Sequence, residues 1–322
     1  DNMALNTEII LTLQQLKGFG TKTIIGISQI GEDINTIEEL CHSWKSRKGK
    51  RFESISTEDL YSANKAALRV LDACQRENIG IISYDEPLFP TMLRNCINEE
   101  GKEDPAILLY YRGNIDALQK PGIAVIGTRE PTPNGIKAGN FFSAEFAKQG
   151  FNIVSGLAIG CDTTGHEGAL SVGGTTTAFL ANGLDWNSIY PKENLELAKR
   201  IVENGGLLLS EYPIGQTCNR YSLVARDRLQ AGLSYATIAI QTGIKGGTMH
   251  AVRTTLEAHK PLFMVKFKSA EDNNHEKVQG NNQLISEGKA FPLGSETLTE
   301  AIERARESIK NPSVTQVQGR FF

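Results

Sequence analysis

Between Gly122 and Gly174 an apolar run, Ile123-Ala124-Val125-Ile126, leads straight into Gly127-Thr128-Arg129. A second run, Phe151-Asn152-Ile153-Val154, leads into Ser155-Gly156-Leu157-Ala158-Ile159-Gly160-Cys161-Asp162. Two strand patterns that each end in a glycine turn, with a helix-like segment from Gly135 to Gln149 between them, describe a βαβ unit. Glycine lets backbone N–H groups come close to an anion, and a helix starting just beyond the turn adds partial positive charge. Phosphate is the expected guest of such turns.

The same alternation continues downstream. Apolar strand patterns recur at Ile123–Ile126, Phe151–Val154, Thr177–Leu180, Gly206–Leu209, Thr237–Ile240 and Pro261–Val265, with helical stretches between most of them. That spacing predicts an α/β fold, a doubly wound parallel Rossmann-like sheet covered by helices, with ligands at the carboxyl ends of the strands. Residues 1–80 read as a small helical domain, 81–121 as a connector that holds the apolar strand Ile107–Tyr111, 122–310 as the sheet domain and 311–322 as a tail.

Composition narrows the function classes. The chain has 322 residues and 40% hydrophobic content, enough for a core of full size and about two domains. No apolar run approaches the roughly 18 residues of a membrane helix, and no leader pattern opens the chain, so a cytoplasmic protein without a membrane partner is expected. Five scattered cysteines, Cys41, Cys74, Cys96, Cys161 and Cys218, suggest neither a disulfide framework nor a zinc site. A net charge of −3 gives no global attraction for polyanions, so nucleic-acid binding requires a local basic patch.

Two such patches are candidates near the amino end. Leu13-Gln14-Gln15-Leu16-Lys17-Gly18-Phe19-Gly20-Thr21 fits a helix, Gly-x-Gly hairpin, helix pattern whose backbone amides can meet a DNA phosphate, with Lys17, Gly18 and Gly20 at the hairpin. It equally describes a glycine-ended helix followed by a threonine-capped one. The run Lys45-Ser46-Arg47-Lys48-Gly49-Lys50-Arg51 is the densest basic stretch, and Lys48, Lys50 and Arg51 are either accessory phosphate contacts or a solvated loop.

The order of motifs resembles the DprA/Smf family of DNA-processing proteins. Asp85-Glu86-Pro87-Leu88-Phe89-Pro90, Gly127-Thr128-Arg129, the Ser155–Asp162 block with His166, Asn182-Gly183-Leu184-Asp185, Ser210-Glu211-Tyr212-Pro213, Arg226-Asp227-Arg228-Leu229 and Asn282-Gln283-Leu284-Ile285 all look like its blocks. What the resemblance implies is a homodimeric protein, without metal or organic cofactor, that binds single-stranded DNA and hands it to a RecA-type recombinase during natural transformation. On that reading Arg129 is the first candidate phosphate ligand, with Gly127 beside it and a structural ion pair to Glu130 or Asp162 as the alternative. Ser155 and Gly156 supply a hydroxyl and a close backbone approach, or only a tight turn. Asp162 and His166, four apart, share a helix face, where Asp162 caps the helix and His166 lines the pocket. Arg226 and Arg228 diverge by about 200° on a helix, so only one can reach a given phosphate. Lys245 and Gly247 belong to a further glycine turn after a strand.

Several positions depart from the family pattern. Asp227 stands where Arg-Asn-Arg is usual and is expected to oppose DNA, Thr175 follows a Gly-Gly pair that often precedes a basic residue, and Gln241 occupies a strand end that commonly bears Glu. The rival expectation is therefore a nucleotide sensor or a phosphoribohydrolase-like enzyme of the same superfamily, for which Glu211 is the single carboxylate nominated.

Overall fold

The computed structural model describes residues 5–29 and 34–312. Its centre is a nine-stranded sheet in the order β1-β2-β6-β5-β4-β3-β7-β8-β9. The strands are β1 (Gly80–Ser83), β2 (Leu108–Gly113), β3 (Gly122–Ile126), β4 (Asn152–Ser155), β5 (Thr176–Leu180), β6 (Leu207–Ser210), β7 (Ser234–Ala239), β8 (Leu262–Val265) and β9 (Phe291–Leu293). From β6 to β9 every pairing is parallel. β2 joins β6, and β1 joins β2, antiparallel. All six strands expected from the alternation are present, and β3, β4, β5 and β6 are buried along their whole length, as strands covered on both faces must be.

The sheet begins earlier than the sequence suggests. β1 and β2 lie inside the stretch read as a connector, and their antiparallel pairing extends the sheet at one edge. The helical segment before them is tied to that edge: one apolar core runs from Leu5, Ile9 and Leu60 through Ile79 and Leu108 to Leu180 and Leu208. The helices Thr7–Gln14 and Thr57–Arg76 supply its upper part. Among the described residues no helix is long and apolar enough to cross a membrane, and the five cysteines are free thiols.

Helix Pro133–Lys148 follows β3 because Thr132 caps it, its hydroxyl accepting from the Gly135 amide at 3.1 Å, and because Pro133 opens its first turn. Its buried face, Gly139, Phe142, Ser143 and Phe146, meets helix Cys161–Ser171. Glycines set how close the two helices come: a Cβ on Gly139 would stand 1.9 Å from Thr164 Oγ1, and one on Gly168 would stand 2.6 Å from the Asn140 carbonyl. That close crossing places the start of helix Cys161–Ser171 beside the end of β3.

Candidate nucleic-acid interface

The chain runs outward from β3 through β4 and β5 to β6, then returns to place β7 on the other side of β3. The carboxyl ends of β3 and β7 therefore flank a topological switch point, where doubly wound proteins commonly take a mononucleotide. Here that crevice holds side chains of the protein itself. Gln241, fully buried, accepts from the Thr132 amide at 2.9 Å and donates to Thr132 Oγ1 at 2.8 Å. Thr132 Oγ1 in turn donates to Asp272 at 3.0 Å, and Asn134 donates to the same carboxylate at 2.7 Å. Neither Thr132 nor Asp272 was visible as a site residue in the sequence, because they are 140 positions apart.

One strand further along, the turns after β3 and β4 touch. Gly160, at φ +86°, presses on the first turn so closely that a Cβ there would lie 2.5 Å from the Thr128 carbonyl oxygen. The Cys161 amide donates to that same oxygen at 3.0 Å. Gly127 is needed for the same contact, since a Cβ on it would meet Cys161 Sγ at 2.5 Å.

Most polar groups of the second turn are engaged within the protein. Ser155 is fully buried and its hydroxyl donates to the Val125 carbonyl at 2.6 Å, so it offers nothing to a ligand. The Gly156 amide donates to Asp162 at 3.0 Å, and its carbonyl accepts from Arg226 Nη1 at 2.7 Å. Gly156 is required because a Cβ would fall within 2.8 Å of Gln230, Arg226 and Asp162 alike. Leu157 adopts the left-handed conformation at φ +62°, a costly state for a branched side chain, held because its amide donates to His166 Nε2 at 3.3 Å and its carbonyl accepts from Asn194 at 2.8 Å. No acceptor among the described residues meets the amides of Ile159 and Gly160.

His166 does not line a pocket. It is fully buried, and its Nδ1 lies 2.7 Å from Thr176 Oγ1, whose own proton goes to the Ile153 carbonyl. With Nε2 accepting from Leu157, the ring is the neutral Nδ1–H tautomer. Burial, helped by the charge of Arg226, pushes its pKa down to about 3. Asp162 does act as a cap, but for the Gly156 and Ala158 amides of the turn before its helix. Burial pushes its carboxyl up to about 6 against the pull of Arg226.

The two arginines of the Arg-Asp-Arg run part as helical geometry demands. Arg226 turns inward to Gly156 and Asp227. Arg228, 6% exposed, grips both oxygens of Glu211 at 3.0 and 2.8 Å and also bonds Asp104, so it braces the helix Arg220–Leu233 against the end of β6 and is not available as a phosphate ligand. Glu211 is thereby withdrawn from the acid–base role that glycosidic cleavage needs.

Arg129 has the opposite character. It is exposed, and among the described residues its side chain has no hydrogen bond or ion pair, to Glu130, Asp162 or any other group. Its charge reaches Asp227 on helix Arg220–Leu233. Lys245 and Gly247 stand exposed in the open turn beyond β7, and Tyr221, 86% exposed in the first turn of the Arg226 helix, is an aromatic platform that no sequence pattern marked. In the helical segment Lys17, Gly18, Gly20, Lys48, Lys50 and Arg51 are all exposed; Gly18 takes φ +82°, Gly20 opens the next helix without a side-chain cap, and Arg51 donates to Thr23 at 2.7 Å.

Fold and site together define a doubly wound α/β protein whose strand-end turns carry, among the described residues, exposed cations at Arg129 and Lys245 without an ion pair. The chain belongs to the DNA recombination-mediator protein A family, whose model matches residues 80–304. It is 30% identical over 304 residues to protein Smf of Synechocystis sp., an alignment that takes in 88% of this chain and 73% of that one. It is 34% identical over 219 residues to DNA processing protein DprA of Streptococcus pneumoniae, covering 65% of this chain and 75% of the other. The solved structure of the pneumococcal protein superimposes over 93% of this chain and 94% of its own with a TM-score of 0.64 at 24% identity, which speaks to the fold. DNA processing protein A from Helicobacter pylori, whose structure concerns its single-stranded DNA binding mode, superimposes over 71% of this chain and 96% of its own with a TM-score of 0.59 at 30% identity.

Proposed function

We propose that the chain binds single-stranded DNA across the face formed by the turns after β3 and β4 and passes it to a RecA-type recombinase. Arg129 is the observation that supports this most: an exposed guanidinium without a protein acceptor, next to the Ile159 and Gly160 amides that also lack one. A phosphate is the anion that meets a cation and two amides at once. Lys245 and the amide of Gly247 extend the basic surface past β7, and Tyr221 offers a ring on which a base stacks whatever its sequence. Accessory phosphate contacts fall to Lys17, Gly18, Gly20, Lys48, Lys50 and Arg51. The filled switch-point crevice and the engaged Glu211 favour a strand on the surface over a mononucleotide in a pocket.

Binding of a labelled single-stranded oligonucleotide, of the same sequence as duplex, and of AMP, ADP and ATP across a salt series tests this. Preference for the single strand with a steep salt slope is expected, since each neutralised phosphate releases counterions. Tight mononucleotide binding with a flat slope rejects it. Transfer to the recombinase and assembly as a homodimer rest on the family resemblance; strand exchange with purified recombinase and light scattering of the free protein test each.

A further inference from the structure

Beneath the Arg129 face two carboxylates converge on one guanidinium. A Cβ at Gly156 would meet Gln230 Nε2, Arg226 Cζ and Asp162 Oδ2 at 2.6, 2.8 and 2.8 Å, so these three groups enclose a single point. Asp227 closes the ring from the same helix, accepting from Arg226 Nη2 at 3.3 Å and, at the long limit of 3.5 Å, from Gln230 Nε2. The cluster is buried: Arg226 is 8% exposed and Asp162 6%, while the Asp227 side chain keeps 16%.

Its hydrogen bonds are incomplete. Arg226 Nε and Gln230 Oε1 are buried without a partner. One guanidinium cannot neutralise two carboxylates, so the pair favours holding a proton. The other groups that face Asp227 are Arg129 on the turn after β3 and His250 on helix Thr248–Glu257. His250 shares the Glu99 carboxylate, at 2.9 Å, with Arg253, and His166, the remaining titratable group beside Arg226, is neutral.

We propose that Asp227 makes strand binding proton-linked: a phosphate arriving at Arg129 draws one proton onto the Asp162–Asp227 pair, so affinity for single-stranded DNA rises as pH falls. The inference rests on the strand-binding reading and adds a specificity-determining residue to it. Burial raises both carboxyls above their ordinary range, Asp162 to about 6. A phosphate on this face disfavours the doubly ionised pair further, and by reciprocity protonation of the pair favours the phosphate.

The test is the affinity of the full chain for labelled oligothymidylate between about pH 5.5 and pH 8, in wild type and in Asp227→Asn. Wild type should weaken with rising pH between the pair's pKa in the free protein and its higher pKa in the complex, with about tenfold per unit the ceiling for one proton. The variant should bind more tightly than wild type at the alkaline end, with a distinctly flatter pH profile. Titration calorimetry of wild type in two buffers of different ionisation enthalpy gives the proton count without any substitution, and should return uptake of up to one proton. Equal pH slopes in the two proteins, or no proton uptake, overturn the linkage while leaving strand binding intact. Absence of binding at every pH in both proteins overturns the strand-binding reading as well.

Discussion

Gly160 lies against the carbonyl oxygen of Thr128 so tightly that a methyl group at 160 would stand 2.5 Å from it, and this contact joins the turns after β3 and β4 into one surface. Gly160 also takes φ +86°, where an L side chain is strained. Gly160→Ala should therefore cost about 1–3 kcal/mol of stability from the backbone alone and push the two turns apart. Urea unfolding should show that loss, with strand affinity falling more than stability explains. Wild-type values for both would mean that the turns do not touch.

Arg129→Ala removes an exposed charge with no intramolecular partner, so the protein should unfold with the wild-type midpoint. Affinity for a single strand should drop and the salt slope should become shallower by about one phosphate contact. An unchanged slope would take Arg129 out of the interface.

Arg228→Ala should behave in reverse. Removing Arg228 leaves the largely buried Glu211 uncompensated, at a cost of about 3 kcal/mol, while Asp104 keeps solvent. The thermal midpoint should fall by many degrees, and whatever fraction stays folded should bind strands with near-native affinity. A stable Arg228→Ala protein with weakened binding would restore Arg228 as a ligand.

His166 and Asp162 pull stability in opposite directions with pH. The imidazole, lowered to about 3, contributes stability that is present above its unfolded value near 6.5 and is lost as pH falls from there. Asp162, raised to about 6, regains stability as pH falls from about 6 to its unfolded 3.8. The two nearly offset each other between those limits, and only the histidine loss continues below. Acid unfolding should thus set in below about pH 4, and long-range nitrogen–proton NMR should show a neutral Nδ1–H ring at pH 5. A ring that protonates near 6.5 would place His166 in contact with solvent.

Deleting residues 1–79 should not leave a freely folding sheet domain. The helices before β1 share a core with Leu108, Tyr110, Leu180 and Leu208, so truncation uncovers one edge of the sheet. The truncated chain should bind dyes for exposed apolar surface or aggregate; a well-folded, soluble product would show that the two cores are separable.

Seven strands, including Ile107–Tyr111 as β2, the glycine turns and a helix after β3 are legible in the chain because each depends on neighbours within a few positions: continuous apolar runs, helical periodicity, a turn residue. β1 and β9 are not, since four and three residues carry too little pattern and owe their place to a paired neighbour. The collinear motifs pointed to the family and to Arg129, Gly127 and Gly156 as residues of adjacent strand-end turns. What the motifs could not tell is which polar groups point outward. Ser155, His166 and Arg228 are chemically as able to meet a phosphate as Arg129 is. Burial decides between them: each of the three finds its partner on a distant element, at Val125, Thr176 and Glu211, whereas Arg129 finds none. A side chain's chemistry is written in the chain, but the partner that satisfies it is set by long-range packing, because a buried polar group must be matched by whatever the fold brings beside it.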